Sequence, residues 1–84
     1  MKDGEIYAQL TEIMRDVLVN FDLVLRPDLT AKEVEVWNSY KMIEIIVAVE
    51  SHFGLKVKSK ELDALENVGD LVTLIRKAKS AAGT

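Results

Sequence analysis

Val36-Trp37-Asn38-Ser39-Tyr40-Lys41-Met42-Ile43-Glu44-Ile45 is the stretch in which an irregular segment gives way to the most apolar helix of the chain. The polar pair Asn38-Ser39 stands directly before the apolar pattern begins. A serine in this place can cap the helix, or it can present an exposed hydroxyl that another enzyme modifies. Position alone favours the cap. Asn38 can cap the helix instead, which would leave Ser39 free.

The helix that follows is predicted to start at Ser39 or Tyr40 and to end before Gly54, which suits a left-handed terminal residue. Its apolar residues recur at helical spacing. One stripe is formed by Met42, Ile46, Val49 and Phe53, with Ile43, Ile45 and Val47 beside it. Because no other segment is as apolar, we expect every other helix to pack against this one.

Two further long helices and one short helix are predicted around it. The first runs from about Asp3, a candidate cap, to Val19, and its apolar stripe is Ile6, Leu10, Ile13 and Val17. The short helix spans residues 59–66. The last opens at Asn67-Val68-Gly69-Asp70, where Asn67 is a good cap, and residues 80–84 should fray. The expected fold is all-α: a small bundle of three main helices plus one short helix.

A long connection, residues 20–38, separates the first and second main helices. Connections of this length are uncommon in small domains and are often functional. Thr30-Ala31-Lys32-Glu33 matches a capping box and predicts one helical turn near residues 31–34. The apolar residues that should hold the connection against the bundle are Phe21, Leu23, Leu25 and Leu29. Trp37 is most simply a packing residue that closes the connection over the core.

Composition limits the classes of function. The 84 residues allow one domain, predicted to span residues 1–84, and the absence of cysteine excludes thiolate sites. No apolar run has the length of a membrane span, so we expect no membrane partner and a cytoplasmic location. Residues 1–55 hold ten acids against five bases. This balance argues against nucleic acid as a partner and favours basic protein partners.

No catalytic constellation is present in the sequence. There is no nucleophile with a nearby histidine and acid, no glycine-rich phosphate loop and no spacing typical of metal ligands. Glu44 and Glu50 are six residues apart and do not share a helix face, so they make a poor acid and base pair. His52 stands alone near a helix end and predicts neither a ligand nor a base. We therefore expect a protein that is not an enzyme.

The motifs, taken in order, resemble those of the acyl carrier proteins, the small helical carriers of fatty-acid and polyketide synthesis. The family's usual pattern is Asp-Ser-Leu, an apolar residue, Glu and Leu, then Leu-Glu-x-x-Phe followed by a small residue. Here Asn38-Ser39-Tyr40 stands at the first part, with Ile43-Glu44-Ile45 and Val49-Glu50-Ser51-His52-Phe53-Gly54-Leu55 in register. Asn67-Val68-Gly69-Asp70-Leu71 is similar to the family's Thr-Val-Gly-Asp. The resemblance covers about residues 5–79.

The resemblance implies a carrier that a phosphopantetheinyl transferase modifies on Ser39. The attached phosphopantetheine is covalent, and its thiol holds acyl groups as thioesters for acyl-loading and acyl-transfer enzymes. These partners are expected to carry basic docking patches. The residues that would meet them are Asn38, Tyr40, Glu44 and Glu50. The family is usually monomeric, and a core lined by Ile43, Val47, Leu62 and Leu65 would part to shelter an acyl chain.

Three departures from the family pattern leave an alternative open. Asn38 replaces the usual Asp, Tyr40 replaces the usual Leu, and Lys41 stands where an acid is common. Val36-Trp37 also differs from the usual Leu-Gly, and it is closer to a stand-alone carrier of a secondary pathway. The alternative is a domain of carrier-like fold that serves only protein–protein interaction and is never modified. A small DNA-binding module is a weaker third hypothesis, because the chain is acidic.

Overall fold

The computed structural model describes residues 2–82, and the side chains of residues 2–80. Its α-helices are α1 (Asp3–Leu18), α2 (Ser39–Phe53), α3 (Ser59–Asp63) and α4 (Val68–Ala82). No strand occurs within the described residues. The prediction of an all-α bundle with three long helices, one short helix and a long connection between the first two long helices is confirmed.

The core lies where α1 packs against both α2 and α4. Ile6, Leu10, Met14 and Leu18 form the buried face of α1, while Ile13 is only half-buried at the edge of that face. Asp3 does not cap α1, because Lys2 is the capping residue. Asp3 instead accepts two hydrogen bonds from Arg76 of α4, at 2.9 and 2.8 Å. This ion pair links the start of α1 to the middle of α4.

Only one side of α2 is buried, although apolar residues surround most of it. The buried residues are Ile45, Ile46, Val49 and Phe53. Ile43 is 57% exposed and Val47 is 59% exposed, so the prediction that they line the core is wrong. Ile43 lies about 200° around the helix from Ile45, at 3.6 residues per turn. α1 packs against the buried half of α2, and the opposite half is left to solvent.

The long connection is held to the bundle by two buried leucines, Leu23 and Leu29, with Leu25 half-buried. Phe21 is exposed, so the prediction that it holds the connection to the core is wrong. Arg15 explains the difference, because its Nε donates a hydrogen bond to the carbonyl oxygen of Leu23 at 2.8 Å. This contact brings Leu23 into the core two residues later in the chain, and Phe21 stays on the turn outside it.

The predicted turn in the connection is confirmed as a 3-10 turn at Ala31–Glu33. The Glu33 carboxylate accepts a hydrogen bond from the backbone N–H of Thr30 at 3.1 Å. Glu33 also forms an ion pair with Arg26. These contacts give the connection a fixed path to the start of α2.

The start of α4 anchors the same connection. The backbone N–H of Val68 donates to the carbonyl of Leu29 at 2.9 Å, and that of Gly69 donates to the carbonyl of Pro27 at 2.8 Å. Asn67 caps the helix as predicted, because its Oδ1 accepts the N–H of Asp70 at 2.8 Å. Two helix N–H groups that usually lack partners therefore bind the long connection.

We expect Gly69→Ala to lower the free energy of unfolding by about 1–3 kcal/mol, the usual cost of overpacking. A Cβ atom at Gly69 would lie 2.9 Å from the Pro27 carbonyl oxygen and 3.3 Å from Pro27 Cβ. Gly4→Ala is the control, since its Cβ would meet nothing within 4 Å and alanine favours a helix. Urea unfolding midpoints test the pair, and equal midpoints for both variants would contradict this expectation.

The short helix and the chain end differ from the sequence prediction. α3 ends at Asp63 and not at Glu66, because the N–H of Glu66 donates to the Asp70 carboxylate at 3.0 Å and already belongs to the start of α4. α4 continues to Ala82, beyond the predicted start of fraying at residue 80. Residues 83–84 of that predicted tail lie outside the described residues. No helix between residues 2 and 82 is long and apolar enough to cross a membrane.

Candidate functional site

Ser39 is the first residue of α2, and it is exposed. Asn38 is the capping residue, because its Oδ1 accepts a hydrogen bond from the backbone N–H of Lys41 at 2.9 Å. The structure therefore assigns the capping role to Asn38, one of the two arrangements that the sequence left open. With the helix capped by its neighbour, Ser39 presents its hydroxyl at the surface.

The N-terminus of α2 favours a negatively charged group beside Ser39. The first backbone hydrogen bond of the helix runs from the N–H of Met42 to the carbonyl of Asn38, at 2.9 Å. The N–H groups of Ser39 and Tyr40 precede that bond and lie at the positive end of the helix dipole. The first turn of α2 carries no acid. A phosphate ester on Ser39 would thus sit in a favourable field.

A cavity of about 420 Å³ opens beside Ser39, between the long connection, α2 and residues 62–67, which comprise the end of α3 and the segment that follows it. Its apolar lining comes from Trp37, Met42, Leu62 and Leu65, and Lys32 stands among its polar residues. Leu62 and Leu65 therefore line a space of the kind that the sequence predicts for sheltering an acyl chain, whereas Ile43 and Val47 do not line it. A second depression, of about 800 Å³, lies beyond the far end of α2, near Ser51 and Gly54.

Trp37 forms one wall of the cavity beside Ser39. It is 6% exposed, and its indole N–H donates to the sulfur of Met42 at 3.1 Å. This contact joins the last turn of the connection to the first turn of α2. The position of Trp37 in the sequence, directly before Asn38-Ser39, predicts chiefly a packing role. The structure keeps that packing role and adds a place in the cavity wall.

Three exposed side chains follow Ser39 along the outer side of α2. They are Tyr40, which is 71% exposed, and the half-exposed aliphatic residues Ile43 and Val47. Their spacing of three and four residues places them in one row. We call this row the outer α2 face. Tyr40, the first residue of this row, directly follows Ser39 at the helix start.

The two predicted docking acids have different surroundings. Lys41 forms an ion pair with Glu44 at 3.2 Å, which offsets the charge of Glu44. The Glu50 carboxylate accepts the N–H of Val57 at 2.9 Å, and it holds the segment after α2 in place. Because they are six residues apart, the two acids point about 120° from each other around the helix. The structure does not bring them together into one acidic patch.

Known proteins of similar sequence and structure fit this architecture. No protein-family model matches the chain. The acyl carrier protein of Acidothermus cellulolyticus is 31% identical over 78 residues, which is 93% of this chain and 93% of that protein. The chain belongs to the acyl carrier protein family. The solution structure of the holo acyl carrier protein from Geobacter metallireducens superposes with a TM-score of 0.86, at 33% identity over 90% of this chain and 87% of that one.

A third relative is a more specialised acyl carrier protein. The meromycolate extension acyl carrier protein of Mycobacterium leprae is 33% identical over 73 residues, or 87% of this chain. The matched region spans 64% of that relative's own length.

Membership in the family confirms two predictions made from the sequence. Acyl carrier proteins are carriers and not enzymes, and they bear a phosphopantetheine group on a serine. The fold prediction is confirmed by the same solution structure. The resemblance implies that Ser39 is the serine that carries the group and that Asn38, Tyr40, Glu44 and Glu50 meet partner enzymes.

We expect Asn38→Ala to lower the free energy of unfolding by about 1 kcal/mol, the usual loss for a helix cap. The variant removes the acceptor that binds the N–H of Lys41. Asn38→Asp is the matched variant, since a carboxylate keeps the acceptor and adds a negative charge at the positive end of the helix. It should be at least as stable as the native chain in thermal unfolding at neutral pH. A loss of stability in Asn38→Asp equal to that in Asn38→Ala would contradict the capping role.

Proposed function

We propose that Ser39 is the attachment point of phosphopantetheine in this acyl carrier protein. The observation that carries the proposal is an exposed serine at the first position of α2 with the capping role taken by Asn38. In the transfer, the Ser39 oxygen attacks the phosphorus of coenzyme A that bears the pantetheine. A new oxygen–phosphorus bond forms, the diphosphate bond breaks, and the nucleotide half of coenzyme A leaves. The hydroxyl proton passes to a base on the transferase.

The attached arm gives the protein the thiol that its own residues lack. The chain contains no cysteine, so a thioester requires the sulfur of phosphopantetheine. The arm holds an acyl group close to whichever enzyme has docked, at a high effective concentration. This protein therefore presents acyl intermediates of fatty-acid, polyketide or similar synthesis to partner enzymes, and it performs no chemistry on them.

The cavity beside Ser39 supports a role in sheltering the carried group. Its apolar residues lie next to the attachment point, and burial of a hydrocarbon against them is favourable by roughly 25 cal/mol per Å². The group that the cavity would shelter is the acyl chain of the thioester. Trp37 lies in the cavity wall, and its fluorescence reports on occupation.

The proposed partners are a phosphopantetheinyl transferase and enzymes that load or accept the acyl group. Asn38 and Tyr40 flank Ser39, so contact with any such enzyme is expected there. Glu44 and Glu50 are the acids proposed to meet basic docking patches, although each already has a neighbour within the protein. A single domain over residues 1–84, a monomeric state and a cytoplasmic location complete the proposal.

Intact mass spectrometry tests the proposal. The protein is incubated with coenzyme A, magnesium and a broad-specificity phosphopantetheinyl transferase, and a gain of one phosphopantetheine is expected. The alternative is an unmodified interaction domain, favoured by the neutral Asn38 in place of the usual acid. If the native protein gains no mass but Asn38→Asp does, the asparagine blocks or restricts activation. If neither gains mass, the carrier proposal fails.

A further inference from the structure

A groove of about 490 Å³ runs between α1 and α2 on a side that Ser39 does not occupy. Ile13 and Val17 of α1, Ala48 of α2 and Phe21 of the long connection line its apolar part. We call it the α1 groove. Ala48 comes nine residues after Ser39, which places it about 180° around α2 and roughly 13 Å along its axis. A protein bound in the α1 groove therefore leaves the Ser39 arm uncovered.

Large apolar side chains are exposed where the groove meets the connection. Val19, Phe21 and Val24 are each 70–71% exposed, within six residues. Single exposed apolar residues are common on protein surfaces, but three large ones within six residues, one of them lining a groove, point to a contact surface. Phe21 lines the groove itself, Val19 is the residue that ends α1, and Val24 lines a separate depression.

Val19 also adopts a backbone conformation that its side chain disfavours. Its φ is 52° and its ψ is 48°, the left-handed region, in which a β-branched residue is rare. The hydrogen bonds from Val19 and Asn20 back to α1 need only backbone atoms, at 3.3 and 3.0 Å. Glycine or asparagine would make the same bonds with less strain. The exposed valine side chain thus has no role in ending the helix.

The rim of the groove is acidic. Glu12 and Asp16 line it, and Asp22 follows Phe21. Arg15 and His52 line the same groove: Arg15 keeps its positive charge and donates from Nε to the Leu23 carbonyl at 2.8 Å, and His52 Nε2 lies 2.7 Å from Gln9 Oε1. Among the ion pairs of residues 2–80, none involves Glu12, Asp16 or Asp22. An apolar floor with acids around it is complementary to a basic segment that carries an apolar side chain.

We propose that the α1 groove is a second docking surface, which holds a partner protein through a basic, amphipathic segment while the Ser39 arm stays free. The inference rests on the proposed carrier function, because a carrier held at one face can deliver its acyl group from the other. Binding at two faces also raises the effective concentration of the arm at the enzymes of one assembly.

A defined peptide tests the groove. Isotope-labelled protein, with phosphopantetheine attached, is titrated with a synthetic amphipathic helix of lysine and leucine and with its counterpart that has glutamate for lysine. We expect the amide signals of Ile13, Val17 and Ala48 to shift with the lysine peptide and not with the glutamate peptide. Shifts confined to the outer α2 face, equal shifts with both peptides, or no shifts would overturn the proposal.

Variants separate docking from folding. Two variants, Phe21→Ser and the double variant Glu12→Lys with Asp16→Lys, should each lower the affinity for the lysine peptide about tenfold or more. Neither should change the melting temperature of the protein. Val19→Asn should raise the melting temperature of the protein and still lower its affinity for the lysine peptide. Unchanged affinity in all three variants would overturn the proposal.

Photo-crosslinking in the producing cell tests the natural occupant. Benzoylphenylalanine is placed at position 21, and at the exposed position 60 as a control. The proposal is supported if position 21 cross-links to a basic segment of another protein and position 60 does not. The cross-link from position 21 should also be lost when the charges of Glu12 and Asp16 are reversed to lysine. A cross-link to lipid or to a second copy of the chain overturns it. Ser39→Ala should leave this cross-link intact. Failure of the carrier proposal would appear only in the intact-mass measurement of phosphopantetheine attachment, so the two proposals can be distinguished.

Discussion

Ser39→Ala is expected to abolish phosphopantetheine attachment completely while leaving the fold intact. The variant removes the only atom of residue 39 that can form the phosphodiester. Asn38 continues to cap α2 through its bond to the N–H of Lys41, so the helix start should not change. Alanine is also well tolerated in a helix. Intact mass after incubation with coenzyme A, magnesium and transferase should show full modification of the native chain and none of the variant.

Ser59→Ala is the matched control for this experiment. Ser59 is also exposed and is also the first residue of a helix, α3. If the transferase modified any exposed serine at a helix start, Ser39→Ala and Ser59→Ala would each lose part of the mass gain. We expect Ser59→Ala to be modified like the native chain, because the motif and the cavity lie only at Ser39. Modification that persists in Ser39→Ala would assign the arm to another residue.

Ile45→Ala is expected to lower the free energy of unfolding by about 2–5 kcal/mol, as for other large-to-small core changes. Ile45 is fully buried between α2 and the rest of the core. A small domain has a total stability of roughly 5–15 kcal/mol, so this change removes a large fraction of it. Ile43→Ala, two residues away in the same helix, should change stability by no more than about 0.5 kcal/mol, because its side chain is mostly exposed.

The same two variants should have the opposite effect on activation. Ile43 lies on the outer α2 face close to Ser39, so Ile43→Ala should lower the transferase kcat/KM for this carrier. Ile45→Ala should keep a near-native kcat/KM wherever the variant remains folded, since Ile45 does not reach the surface. Urea unfolding and initial rates of modification measure the two effects separately. Equal losses of stability would contradict the assignment of the buried face of α2.

The local features of this protein followed from its sequence alone. The start of α2 at Asn38-Ser39, its left-handed end at Gly54, the Asn67 cap and the turn at Thr30–Glu33 were each predicted and are each confirmed. These features depend on side chains that bind the backbone within a few residues, or on the freedom of glycine at a positive φ. The order of motifs around Ser39 also carried the family resemblance, because it lies in the linear spacing of residues.

Long-range packing decided the remaining features. α2 has apolar residues on most of its circumference, so periodicity could not tell buried Ile45 from exposed Ile43 until the positions of α1 and α4 were known. The turn after α1 leaves Phe21 exposed in the α1 groove, while Leu23 is buried and its carbonyl oxygen accepts a hydrogen bond from Arg15. Glu50 binds the N–H of Val57 only because the chain folds back after α2. The cavity beside Ser39 combines residues from three separate segments, and no local pattern encodes their meeting.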